Sequence, residues 1–400
     1  MSFISLLGRI SSVGVLSSLA LFIGNTILSL HMGEDDFGMY SYFNSLHMLL
    51  INIIPFGATM SLVVNLFNMS SDEYSKLLRV GLFNLMPITF IFFIGTSFFL
   101  TAEYTFLVVI STSASYCIVL SAYFRTSQKM KSYALIFVSY TVIFVVSLNV
   151  SYYYFQSIQL MYQFTSFFMF VFALVSIIYT SKVSTFDLYF EFDMKCLITS
   201  FSYGLPVVLS SLAMSFLIVG DRLILSEFVN NKSLAEYSVS ALVASTTLFL
   251  VNNFASAWGA LLAKKLPNLK GEEIYNYYKN NKVYLWYSPI FFMFFLLGQV
   301  VIYKVLYSDE YGSSIVLTIL LSTGYFFYGM SKFFMGFMNF YKKNYTVWFS
   351  SLIAMVFIIL LYIYSSRDIY DMAFSVATGF FVQLIFCYFY TNTFLKWRVK

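Results

Sequence analysis

The residues of this chain best able to do chemistry are charges set in apolar surroundings. Lys332 stands among Gly329, Ser331 and Gly336, nine residues from Tyr341, or roughly 13 Å along a helix. Arg222 follows Asp221 near the end of another apolar run, and Arg9 and Arg125 sit at the ends of two more. An ionisable group at membrane depth is costly, so it persists where it pairs with a second charge or serves a ligand. Lys and Arg would hold an anion, and the Arg fork can grip two oxygens at once. Asn25 and Asn252, with Asn52 and Asn253, add neutral donors and acceptors. Asp221 is the one carboxylate suited to ion coupling or to an ion pair.

Each residue also has a plainer role. Lys332 can run its stem to the headgroups at the nearer surface. Asp221 and Arg222 can form an interfacial pair that orients their helix. Arg9 and Arg125 can act as topology anchors.

Covalent and metal chemistry find little support. Cys117, Cys196 and Cys387 are scattered and form no disulfide or metal spacing, and His31 and His47 are isolated. There is no nucleophile–base constellation, no phosphate-binding Gly loop and no metal cluster. The expectation is a protein without cofactor, metal or catalytic residue.

These residues are carried by about a dozen stretches long enough to cross a bilayer. The chain has 400 residues, 60% hydrophobic and 10% charged, with mean hydropathy +0.79. A spanning helix needs about 20 apolar residues. Spans are expected near 11–30, 38–67, 80–100, 105–124, 132–154, 159–180, 197–219, 235–262, 283–307, 314–340, 345–364 and 373–395. With the N-terminus inside, all but five of the 23 Lys and Arg fall in inner loops, while Glu34, Asp35, Asp36, Glu103, Asp309, Glu310, Asp368 and Asp371 fall outside. The net charge of +5 therefore reports topology and not nucleic-acid binding. The expected fold is an all-α integral membrane protein of about 12 transmembrane helices, both termini cytoplasmic.

An internal repeat divides it. Val15-Leu16-Ser17-Ser18-Leu19-Ala20 recurs as Val208-Leu209-Ser210-Ser211-Leu212-Ala213. Ile27-Leu28-Ser29 matches Ile224-Leu225-Ser226, and Tyr40-Ser41 matches Tyr237-Ser238, at a shift four residues larger. At that shift Asn25 aligns with Arg222. Six spans per half make a parallel repeat: lobes 1–182 and 197–400, joined by a polar cytoplasmic linker, 183–196. Pro206 near the start of span seven and Pro55 in span two are places where a helix would bend.

On Gly204-Leu205-Pro206, Gly220-Asp221-Arg222, Ala235-Glu236-Tyr237-Ser238 and the matching Gly38-Met39-Tyr40-Ser41, the chain resembles the Wzx-type O-antigen flippases. These belong to the polysaccharide transporter family of the multidrug/oligosaccharidyl-lipid/polysaccharide exporter superfamily. The resemblance covers essentially the whole chain. It implies translocation of undecaprenyl-diphosphate-linked oligosaccharide repeat units, of O-antigen or a related surface polysaccharide, from the inner to the outer leaflet by alternating access. It implies the bacterial cytoplasmic (inner) membrane, with membrane lipids, a polysaccharide polymerase and a chain-length regulator as partners. Lys332, Arg222, Arg9, Arg125, Asn25 and Asn252 would then meet the substrate. Two other readings are a small-molecule or multidrug exporter of the same superfamily and a polytopic glycan polymerase. The first favours acidic cavity residues and the second a large outer loop.

Overall fold

The structure is a computed structural model; it describes residues 3–55, 58, 59, 62, 71–184, 194–307, 311, 314–341 and 343–399. Twelve long helices run through these residues. The first six are α1 (Phe3–His31), α2 (Glu34–Ile53), α3 (Ser71–Phe99), α4 (Ala102–Thr126), α5 (Met130–Phe155) and α6 (Ile158–Ser184). The rest are α7 (Met194–Leu225), α8 (Asn231–Lys265), α9 (Glu272–Tyr307), α10 (Ile315–Phe340), α11 (Asn344–Ile363) and α12 (Ile369–Val399). Over the described residues, ten of them are long and apolar enough by length and composition to cross a membrane. Each expected span coincides with a helix, although α2 ends at Ile53 and most of the second span beyond Pro55, like most of the 183–196 linker, lies outside the described residues.

Packing divides the chain into two compact units, Met1–Ser215 and Phe216–Lys400, called lobe one and lobe two here; the boundary falls inside α7. In hydrocarbon every backbone group must be satisfied within its own helix, and side-chain hydroxyls do best by bonding back one turn. Ser45, Thr112, Ser115 and Thr180 each donate to the carbonyl four residues earlier.

Close helix approaches rest on small residues, as membrane packing requires. In lobe one α1 meets α5 at Gly24: a Cβ there would overlap Val145 Cγ1, and Asn149 Nδ2 donates to the Gly24 carbonyl at 3.1 Å. In lobe two α10 is central. A Cβ on Gly324 would lie 3.0 Å from the Ala377 Cα of α12. His47 belongs to the core of lobe one; it is buried, 2.9 Å from the Ser111 hydroxyl and stacked on Phe144.

Helix α9 is attached differently. Its Phe291, Phe294, Leu297, Val301 and Val305 are exposed. On its other face the buried Gln299 amide nitrogen lies 2.8 and 3.0 Å from the Thr246 and Thr247 hydroxyls of α8, and 3.2 Å from the Val243 carbonyl.

Candidate functional site

The polar end of lobe two is built on Asp221. Helix α7 runs on to Leu225, so Asp221 lies just over one turn from its end. The carboxylate is 3% exposed. It accepts a hydrogen bond from the Tyr237 hydroxyl of α8 at 2.6 Å and one from the Arg222 backbone N–H at 2.8 Å. The half-buried Arg222 contributes its positive charge to the same place. Tyr325 of α10, buried, lies within electrostatic reach of both charges.

Lobe one repeats the arrangement with a neutral group. The Tyr40 hydroxyl of α2 donates to Asn25 Oδ1 of α1 at 2.6 Å. This corrects the alignment of Asn25 with Arg222. The hydrogen bonding makes Asn25 the counterpart of Asp221, because the two tyrosines occupy matching positions and each seeks the acceptor on the preceding helix. Tyr40 and Tyr237 are visible in the sequence as a repeated Tyr-Ser pair, but nothing there discloses the acceptor.

Lys332 sits seven residues beyond Tyr325 on α10, two turns along the same face. It is half-buried, and its Nζ lies 4.6 Å from the centroid of the Tyr328 ring. Tyr328 is one turn nearer the start of α10, so the ammonium leans away from the Phe340 end and toward the middle of the helix. Side chains on a helix point toward its N-terminus, and the Tyr328 ring face supplies a cation–π partner there. Of the two roles open to Lys332, a run of its stem to the nearer surface is not the conformation adopted. Tyr325, Tyr328 and Lys332 thus form a polar stripe leading inward from Asp221 and Arg222, with Phe380 packed against both tyrosines.

The remaining expected residues do not join this stripe. Arg125 is exposed in the last turn of α4, near Tyr133 of α5. Asn252 is exposed on α8, and its neighbour Asn253 bonds back to the Phe249 carbonyl. Asn52 donates to the Met48 carbonyl and to Ser215 Oγ at 2.9 Å. Arg9 lies in α1 with its side chain outside the described residues.

Charge position along the helices has a consistent sign. Among the described residues three charged side chains lie eight or more positions from the nearer end of their helix, and all are cations: Arg79 in α3, Lys282 in α9 and Lys332 in α10. No carboxylate there lies more than five positions in; Glu236 and Asp221 go deepest. Lys282 Nζ bonds the Tyr388 hydroxyl of α12 at 2.9 Å. Arg79 and Lys282 are not distinguished in the sequence from loop-side cations, because helices α3 and α9 extend well beyond the apolar runs.

Each lobe also carries a groove. That of lobe one, about 520 Å³, lies between α3, α4 and α6. That of lobe two, about 480 Å³, lies between α8, α9 and α10. Two of the three walls are repeat-equivalent. Arg79, Phe83, Met86 and Thr89 of α3 correspond at one constant shift to Asn281, Leu285, Ser288 and Phe291 of α9, with Pro87 matching Pro289. Val109, Thr112, Ser113 and Tyr116 of α4 correspond at another constant shift to Phe326, Gly329, Met330 and Phe333 of α10.

No protein-family model matches the chain, and no curated protein does. Among solved structures it is similar to an inward-facing multidrug resistance MATE family transporter of the MOP superfamily. The TM-score is 0.74 at 14% identity, over 95% of this chain and 94% of the other. It is similar also to the eukaryotic MATE transporter AtDTX14, with TM-score 0.65 at 13% identity over 99% and 98%. A third is a MOP superfamily transporter from Pyrococcus furiosus, described by a reverse polarity of its binding pocket that suggests a different function; the TM-score is 0.60 at 14% identity over 100% and 99%. The fold is that of the MATE transporters.

Proposed function

We propose that this protein is a membrane transporter whose substrate is an anionic, lipid-linked oligosaccharide of the undecaprenyl-diphosphate class, moved between leaflets by alternating access. The observation that carries this reading is Lys332, a cation inside the apolar run of α10, while the carboxylates among the described residues stay within five positions of a helix end. A diphosphate cannot enter hydrocarbon unless cations and donors replace its water. Lys332, held at mid-helix on the face that leads to Arg222, is the residue best placed to meet it. The sequence resemblance to oligosaccharide flippases supports the same substrate, and the superfamily admits reversed pocket polarity in at least one solved member.

Export of small molecules is the second reading, and the similar multidrug transporters favour it. The aromatic groove of lobe two, with Phe254, Trp258, Phe292 and Phe326 in its walls, would suit a planar apolar solute. Deletion of the gene separates the two. Loss of surface glycan, with lipid-linked repeat units trapped on the inner leaflet, supports the flippase. Unchanged glycan with increased retention of a fluorescent cationic dye supports the exporter.

A further inference from the structure

The two grooves share two walls and differ in one charge. At the position where lobe one carries Arg79, lobe two carries Asn281. We propose that the lobe-one groove is a binding site for an anionic phospholipid of the surrounding bilayer, with its headgroup phosphate at Arg79 and an acyl chain along Met86, Phe170 and Leu174.

Four observations support it. First, the volume of about 520 Å³ is in the range of small-ligand sites, about 300–1,000 Å³. Second, the groove opens on apolar side chains that are themselves exposed: Met86, Phe90, Phe170 and Leu174 are 45–63% accessible. Third, its lining includes one cation, Arg79, and no carboxylate. A half-buried guanidinium gains two-point hydrogen bonding from phosphate oxygens. Fourth, the end of the lobe nearer Arg79 is cationic. Antiparallel succession brings the start of α3, the end of α4, the start of α5 and the end of α6 to one side, and these ends carry Arg125, Lys129, Lys131 and Lys182. Such a collar concentrates anionic lipid in the adjoining leaflet. The proposal does not depend on what the protein transports.

The test uses the purified full-length chain, stripped of lipid in detergent and titrated with phosphatidylglycerol or phosphatidylcholine, with bound lipid counted by native mass spectrometry. Wild type is expected to retain one phosphatidylglycerol more tightly than phosphatidylcholine. Arg79→Asn should lower the phosphatidylglycerol affinity about ten-fold, the scale of one charge-assisted hydrogen bond, and Arg79→Lys should keep most of it. Asn281→Arg should create a second phosphatidylglycerol site in lobe two, a gain that misfolding cannot imitate. Equal retention of the two lipids by wild type, or phosphatidylglycerol retention unaffected by Arg79→Asn, would overturn the proposal. Displacement of the lipid by millimolar inorganic phosphate would overturn it in favour of a free-anion site. Preferential retention of a prenyl diphosphate would overturn it in favour of a substrate site.

Discussion

The Tyr237 hydroxyl donates to the Asp221 carboxylate across 2.6 Å, tying α8 to α7, and the Tyr40 hydroxyl ties α2 to α1 through Asn25 at the same distance. One acceptor is charged and the other is an amide, so the tie itself does not require charge. It requires an sp² oxygen at that place. Asp221 is therefore occupied by structural hydrogen bonds, which weighs against a role in carrying a coupling ion.

Asp221→Asn should reproduce the lobe-one tie and leave membrane abundance within about two-fold of wild type. Tyr237→Phe, which leaves a buried carboxylate short of one donor, should cost about 1.5–3 kcal/mol. Thermal unfolding of the purified protein in detergent reads both. Loss of transport in a well-folded Asp221→Asn would instead restore Asp221 as a coupling group.

Lys332→Ala should reduce glycan export at unchanged abundance, and Lys332→Arg should retain part of it. Tyr328→Phe keeps a ring face under the ammonium and should be nearly silent. Tyr328→Leu removes a cation–π contact worth about 0.5–2 kcal/mol and should lower export in proportion. Normal export by Lys332→Ala would remove this residue from the substrate path.

For Arg222 the two substitutions separate charge from geometry. If charge alone serves, Arg222→Lys stays partly active and Arg222→Ala fails; if the planar fork is needed, both fail. Normal export by both variants, each confirmed in the membrane, would assign Arg222 only to orienting the end of α7.

Gly324→Val would push branched carbons into the Ala377 backbone, where even a single Cβ lies 3.0 Å from the Cα. Overpacking of this kind costs about 1–3 kcal/mol, so the unfolding midpoint should fall clearly. A midpoint unchanged within error would mean that α10 and α12 separate freely at this point.

Much of the fold is legible in the sequence because apolar runs of spanning length have few alternatives in a bilayer. The site is less legible. Lys332 stands out because a cation inside an apolar run is rare, but its direction depends on a Tyr one turn earlier that is only one of 33 tyrosines. The partnership of Asn25 with Tyr40 is hidden by a four-residue insertion between the two copies of the repeat, which leaves the alignment ambiguous by a residue within a helix. The groove equivalence is invisible because the positions are kept while the side chains are not: Thr112 answers to Gly329 and Ser113 to Met330. Hydrocarbon-facing walls constrain shape and polarity and say little about identity.

Gln299 bears on how the protein is made. A helix as uniformly apolar as the middle of α9 has no preferred rotation about its own axis in lipid, because every azimuth meets the same medium. One amide directed at the Thr246–Thr247 corner of α8 selects a single azimuth. Its acceptors all precede it in the chain, so α9 can be indexed as it leaves the ribosome, before α10–α12 exist. Membrane insertion would then deliver to α10 a wall already turned the right way. We expect a chain truncated after Tyr307 to place a cysteine at position 297 toward lipid-soluble maleimide and one at 299 away from it. Equal labelling of the two would show that the later helices do the turning.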